Sequence, residues 1–455
     1  MNVLLITSDS MRRDFVGSYG SKQVKTPNID KLATEGVCFD FAFTGSYPTV
    51  PARADVYTGQ YVFPLHGWEP FNYAKRPLAA ILSEAGVLTE LIGDTPHIFN
   101  NGFNYMRGFE GWEWIRGQEV DCYRTAPKDV KFPCNPSKLR TPEVYKRHLR
   151  NTYSWRYESD RFCAQSITSA LRWLEENYKY SPWFLDIELF DPHEPWDPPQ
   201  YYVDMYDPGY EGEVIPYPQY GKSDYLSPSE LNHIRALYSG ELTMVDRWIG
   251  ILLECLDYLG IRGETIVIFW SDHGFLLGEH GLIGKGLNPL YNEMLRIPFI
   301  ISHPEGLSGI RCDTFVQPCD ITATILDIYK LSIPEDMHGK SLLPLLKGEL
   351  NYDIRDLAIS SWKLPPDNFP DGEVVSFVTT REWSLHYYGV DGNPHLYNNL
   401  TDSAQVSDLI NEYPDIAKEL HLKYVDFLKS IACPPEQILF VESYYERKFP
   451  KCRGI

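Results

Sequence analysis

Four short apolar runs, each leading into an acid or an imidazole, constrain this chain most. Val3–Thr7 leads to Asp9, Thr89–Ile92 to Asp94 and His97, Trp183–Leu189 to Asp191 and His193, and Thr265–Trp270 to Asp272 and His273. Runs this short, separated by stretches of helical periodicity, read as parallel strands joined by crossover helices. The expected class is therefore α/β, with a mainly parallel sheet flanked by helices. In such a sheet ligands bind outside the carboxyl ends of the strands, so the topology gathers these acids and imidazoles at one edge.

The connecting segments carry their own signals. Ser227-Pro228-Ser229-Glu230 is a capping box with proline at the first helical position, and Leu231, Ile234, Leu237, Tyr238, Leu242, Val245, Ile249, Leu252, Leu253 and Leu256 continue at helical spacing as far as Gly260. That stripe is read as a face packed on the sheet. Further on come alternating segments at Val374–Thr379 and Trp383–Tyr388, a Gly392-Asn393 turn and an amphipathic helix near Ile416–Leu428. The 455 residues are thus expected to divide into a large α/β domain, 1–354, and a small α+β domain, 355–455. Residues 102–160, rich in Trp, Tyr, Arg and Pro with poor periodicity, are expected to form an irregular insertion near the site mouth.

Charge and composition narrow the partners. Lys and Arg number 42 against 62 Asp and Glu, a net charge of −20, and a field of that sign repels nucleic acid and anionic membranes. No window approaches the ~20 apolar residues of a bilayer span, and the apolar run after Met1 is too short for a signal h-region. Nine scattered cysteines without a C-x-x-C pair read as reduced thiols, and the location expected from all this is cytoplasmic. Neither a GxGxxG nor a P-loop signature is present, so no nucleotide cofactor is suggested. An anionic substrate fits such a charge only where the site itself concentrates cations or carries a metal.

Two motifs could build such a site. In Thr49-Val50-Pro51-Ala52-Arg53-Ala54-Asp55-Val56-Tyr57-Thr58-Gly59 the proline suits a first helical turn and the glycine a helix end. Thr49 then sits at a helix N-terminus, where N–H groups and the dipole favour an anion, with Arg53 one turn on; the plain alternative is an N-cap threonine on a short surface helix. In Ser271-Asp272-His273-Gly274 an oxygen and a nitrogen donor stand together at a strand end, and Gly274 leaves room for close backbone approach. Alone such a pair is usually a structural hydrogen bond. Asp9 would complete a carboxylate, carboxylate, imidazole set, to which a Thr49 oxygen adds a fourth ligand.

Taken in order, these segments resemble the sulfatase family of the alkaline-phosphatase superfamily. The likeness starts with Asn2–Asp9 and Thr26-Pro27-Asn28-Ile29-Asp30. It continues through Thr49–Gly59, which departs from the C/S-x-P-x-R signature only at its first position, and Asp191-Pro192-His193. It ends with Ser271–Gly274, Gly278-Glu279-His280-Gly281, Lys285, His338–Leu342 and Pro394–Asn398. The resemblance implies a large alkaline-phosphatase-like domain with a small C-terminal one. It also implies one divalent metal held by Asp9, Asp272 and His273, with Thr49 at the nucleophile position. Arg53 would hold the nucleophile and a substrate oxygen, Lys285 a non-bridging ester oxygen, and His193 would lie near the leaving group with His97 on the nucleophile side. If protonated, His193 could give its proton to the leaving alkoxide.

Three departures from the family pattern bear on chemistry. Sulfatases carry Cys or Ser oxidised to formylglycine, which Thr49 is not expected to yield; direct attack by Thr49 would form a threonine ester that water must cleave, a route suited to phosphate. Ser10 stands where many members have a second aspartate, and His273 where calcium-binding members commonly have Asn, a donor set that favours Mn²⁺, Zn²⁺ or Fe²⁺ while leaving Ca²⁺ open. Asp94-Thr95-Pro96-His97 lacks the lysine of the family's Lys-x-His motif. The expected activity is metal-dependent hydrolysis of a small-molecule or sugar sulfate or phosphate ester, with Thr49 favouring phosphomonoesters, phosphodiesters or phosphonate esters. Two alternatives stay open. One is a phosphoryl-group transferase; the other is an inactive glycan-binding homologue using Trp112, Trp114, Tyr153 and Trp155 as stacking platforms.

Overall fold

The computed structural model describes residues 1–450 apart from 73, 101, 287–288, 351, 353 and 366–371. Strands β1 (Asn2–Ser8), β2 (Val37–Ala42), β3 (Leu88–Gly93), β4 (Gly111–Trp114), β5 (Trp183–Leu189), β6 (Thr265–Trp270), β7 (Phe299–Ser302) and β8 (Ile310–Val316) form one sheet in the order β8-β2-β7-β6-β1-β5-β3-β4. From β6 through β4 every pairing is parallel. Only β7 opposes both of its neighbours.

The four apolar runs are β1, β3, β5 and β6, and they stand side by side; every residue of β1, β5 and β6 is buried, while β3 leaves Leu88 and Glu90 half-buried. Val3 and Leu5 pack with Val50, Val56, Ile321 and Ile325 on one side. Leu4 and Ile6 pack on the other side with Leu242, Val245 and Ile249 of the helix Pro228–Tyr258, whose Ser227 and Glu230 cap each other's backbone N–H groups. A strand covered on both faces favours a near-continuous apolar sequence, as in β1 and β6, whereas β5 carries the buried acids Asp186 and Glu188 within its run.

Residues 102–160 are not irregular throughout. They contain β4 and a helix, Pro142–Asn151. The edge strand β4 leaves Trp112 and Glu113 exposed, so it has no apolar period to read.

The C-terminal part is a separate antiparallel sheet of β9 (Ala358–Ser361), β10 (Ser376–Thr379), β11 (Trp383–His386) and β12 (His395–Asn398). Helices Pro414–Ser430 and Pro435–Lys448 pack with it around Ile359, Val378, Leu385, Leu420, Tyr424 and Val441. This sheet is tied to the large one through its first strand: Ser361 N–H donates to the Gly45 carbonyl at 3.0 Å, and Tyr47 N–H donates to the Ser361 carbonyl at 2.9 Å. The eight described cysteines are free, and Cys452 lies outside the described residues. No helix among the described residues is long and apolar enough to cross a membrane.

Candidate active site

Thr49 opens a helix, Thr49–Thr58, that is buried along its whole length. The surface N-cap reading of Thr49 therefore does not hold: Pro48 occupies the cap position, no side chain caps this end, and the threonine hydroxyl is left for other work. Gly59 closes the helix at φ 67°, a left-handed conformation that glycine adopts without strain. The helix N-terminus faces the carboxyl edge of β1 and β6, just past which stand Asp9, Asp272 and His273.

These groups meet in one cluster. Asp9, Asp272 and His273 are fully buried and present ligand atoms within 4.8 Å of one another. Thr49 Oγ1 lies 3.1 Å from His273 Nε2 and accepts from Lys285 Nζ at 3.3 Å. The same ammonium reaches Ser10 Oγ at 3.1 Å and Asp9 Oδ1 at 3.4 Å. Arg53 Nη1 donates to Asp272 Oδ2 at 2.6 Å and to the Thr49 carbonyl at 3.0 Å, and lies 3.2 Å from Asp9 Oδ2. Seven residues from three distant parts of the chain thus surround one small volume.

The orientation of each donor has a local cause. His273 Nδ1–H donates to the Gly274 carbonyl at 2.9 Å, leaving the Nε2 lone pair turned inward. Asp272 Oδ1 accepts the backbone N–H groups of Ser10 and His273 at 3.0 and 2.8 Å, which directs Oδ2 at the cluster. Ser10 is held at φ 60° and donates its hydroxyl to Asp9 Oδ1 at 2.8 Å, so it steadies the aspartate rather than adding a carboxylate. Burial, reinforced by Lys285, holds the His273 imidazole well below its usual pKa and hence neutral. Burial opposes the Arg53 charge, but Glu188, Asp272 and Asp9 outweigh it and keep the guanidinium protonated.

Glu188 was not anticipated from the sequence. Its Oε2 accepts Arg53 Nε at 2.9 Å and lies 2.8 Å from Nη2, fixing the fork from below. The available signal was an acid inside the apolar run Trp183–Leu189, where a central parallel strand has no solvent-facing side. Asp94 and Asp191, which also follow strand ends, stand outside the cluster. Both are bridged by Gln118 Nε2, at 3.4 and 2.9 Å, and burial pushes the two carboxyl groups up.

His97 and His193 lie in the wall of an adjoining pocket of about 370 Å³ that Lys285 also lines. His97 Nε2 is 3.0 Å from Glu119 Oε2, not on Thr49. His193 is buried, and that burial, with Lys285 nearby, holds it well below the usual imidazole pKa. The neutral ring is the resting form, so it does not arrive with the proton a general acid needs. Apolar walls come from Pro48, Trp68, Val120, Val144, Tyr217, Tyr220 and Trp362, with Arg140 at the rim. Trp112, Trp114, Tyr153 and Trp155 do not line it. Trp155 packs on Phe162 and Trp114 on Phe99, while Trp112 and Tyr153 are exposed away from the pocket.

Known proteins match this chain along most of its length. The Sulfatase family model covers residues 1–331, and the model described as N-sulphoglucosamine sulphohydrolase, C-terminal, covers 278–429. An arylsulfatase of Clostridium perfringens is 27 % identical over 94 % of this chain and 93 % of its own. The phosphonate monoester hydrolase of Agrobacterium radiobacter superposes with a TM-score of 0.74 at 22 % identity, covering 95 % of each chain. A second solved structure, in complex with its substrate D-glucosamine-2-N,6-O-disulfate, gives 0.74 at 20 % identity over 95 % of this chain and 98 % of the other.

Proposed function

The chain belongs to the sulfatase family of the alkaline-phosphatase superfamily, hydrolases of ester bonds, and from that premise we propose that it is a metal-dependent hydrolase whose attacking group is the Thr49 hydroxyl and whose substrates are phosphate or phosphonate esters ahead of sulfate esters. The observation that carries the reading is Thr49 Oγ1 standing 3.1 Å from His273 Nε2 and within 3.3 Å of Lys285 Nζ, beside two buried carboxylates. A hydroxyl that only capped its helix would not reach either group.

The residues fit one divalent cation. Asp9 Oδ2 is buried and accepts no hydrogen bond from the described residues, its one contact being the ion pair with Arg53. Two carboxylates and a neutral imidazole with its lone pair turned inward form a mixed oxygen and nitrogen set, which suits Mn²⁺, Zn²⁺ or Fe²⁺ better than Ca²⁺. Held by Asp9, Asp272 and His273, such an ion would supply Lewis acidity to the site. Thr49 Oγ1 then attacks phosphorus, the bond to the ester oxygen breaks, and the proton lost by the hydroxyl balances the one the departing alcohol takes up. Arg53, Lys285 and the helix N–H groups stabilise charge on the oxygens of the transferring group. Water cleaves the threonine ester and restores the hydroxyl. The walls of Trp68, Tyr217, Tyr220 and Trp362 suit a leaving group with a flat apolar face, an aryl or sugar ring.

The test compares aryl phosphate, phosphodiester, phosphonate ester and aryl sulfate, each with Zn²⁺, Mn²⁺ and Ca²⁺ added to metal-stripped protein. Turnover of phosphorus esters ahead of sulfate, restored by Zn²⁺ or Mn²⁺, is the expected result. Turnover of sulfate alone, abolished by Thr49→Ala, overturns the substrate preference.

A further inference from the structure

We propose that the protein holds a second divalent cation, bound by His97, Glu119 and His193 in the wall of the pocket. Their ligand atoms lie within 4.8 Å of one another. Two imidazoles and one carboxylate with the remaining positions open to a pocket are a donor set that zinc and related transition ions accept, whereas Ca²⁺ and Mg²⁺ ask for more oxygen.

Each of the three side chains is aimed by its surroundings. His193 Nδ1–H donates to the Glu194 carbonyl at 2.5 Å, so Nε2 carries the lone pair. The two oxygens of Glu119 are divided: Oε1 accepts the Tyr217 hydroxyl at 2.7 Å and lies 3.6 Å from Arg140, which leaves Oε2 for the position beside His97 Nε2. Both rings are clamped against Phe190, stacked under His193 at 3.9 Å and edge-on to His97 at 5.5 Å, and Trp68 closes on His97 at 4.8 Å. Glu119 also has φ 35°, a backbone conformation an L-residue adopts only where its surroundings impose it. In the structure His97 Nε2 and Glu119 Oε2 share one hydrogen bond, which an ion held between them would replace.

A cation here would add positive charge to the pocket that Lys285 lines, in a chain of net charge −20. The inference stands apart from the catalytic reading of Thr49, and its test separates the two. Protein stripped of metal is equilibrated with Zn²⁺, passed through a desalting column and assayed for zinc per chain by mass spectrometry, with a circular-dichroism melt as the check on folding. Two equivalents in the natural protein, one in Glu119→Gln, one in His97→Asn and one in Asp272→Asn are expected. His97 is half-buried, so His97→Asn keeps the test available if Glu119→Gln does not fold. An equivalent that survives Asp272→Asn and disappears in His97→Asn supports the second site whatever becomes of the first. A single equivalent lost only in Asp272→Asn, no bound zinc at all, or two equivalents retained in folded His97→Asn and Glu119→Gln overturns it.

Discussion

Replacing Thr49 by valine keeps the branched shape and removes one oxygen. The structure bounds what else changes. His273 keeps its bond to the Gly274 carbonyl, and Lys285 keeps Ser10 at 3.1 Å and Asp9 at 3.4 Å. No buried polar group is orphaned, so the loss in stability is about 1 kcal/mol or less, a fall in Tm of roughly 2 °C for a chain this long. Activity should respond on another scale. If Oγ1 forms the bond to phosphorus, valine removes the covalent route and kcat/KM on an aryl phosphate drops by at least ~10³, about 4 kcal/mol of transition-state stabilisation. Thr49→Ser keeps the oxygen and should stay within about tenfold. Initial rates paired with melting curves make the comparison. A valine variant that melts like the natural protein and keeps more than a tenth of its kcat/KM shows that water, not Thr49, attacks, and the mechanism fails.

Other perturbations probe the support around that oxygen. Asp272→Asn should lose the cation of the Asp9 cluster and at least ~10³ in kcat/KM, read by metal content alongside rate; full activity with no bound metal contradicts it. Glu188→Gln removes the charge beneath Arg53 and should cost about 1.5–3 kcal/mol in urea unfolding, with kcat falling further than KM rises. An unchanged unfolding midpoint would count against the positioning role of Glu188. His338 Nδ1 accepts the Tyr61 N–H at 3.0 Å, and burial, with Lys75 next, lowers its pKa from 6.5 to about 4. The folded state therefore prefers the neutral ring. Its contribution is complete above pH 6.5 and is lost as pH falls through 4, a change of about 1–3 kcal/mol once its partial exposure is allowed for. His338→Gln should flatten the pH dependence of the urea midpoint between pH 7.5 and 4.5, and an unaltered slope refutes the assignment.

What could be read from the residues follows burial. The strands β1, β3, β5 and β6 were legible because covering both faces favours an apolar run, and the parallel topology then carries Asp9, Asp272 and His273 to one edge. Thr49 and Arg53 were legible because proline and glycine mark both ends of their helix. The pocket wall beyond His97, His193 and Lys285 was not. Glu119 and Arg140 lie in a stretch without hydrophobic period, and only tertiary contacts with Tyr217, Tyr220 and Glu194 place them. Of the aromatic residues weighed for ring stacking, Trp114 and Trp155 pack on Phe99 and Phe162, and none of the four lines the pocket, because which way a ring faces is set by tertiary contacts. The last helix, Pro435–Lys448, has an apolar face of few residues, too sparse to announce itself.

The pair of hydrogen bonds that joins Ser361 to Gly45 and Tyr47 has a practical meaning for anyone re-engineering the enzyme. The splice lies just ahead of Thr49, and the next residue, Trp362, packs on Tyr47 with ring centres 5.2 Å apart while also walling the pocket. A chimaera that borrows another protein's tail to accept a new leaving group would therefore shift the Thr49 oxygen together with the wall. Residues 43–48 have to travel with the graft.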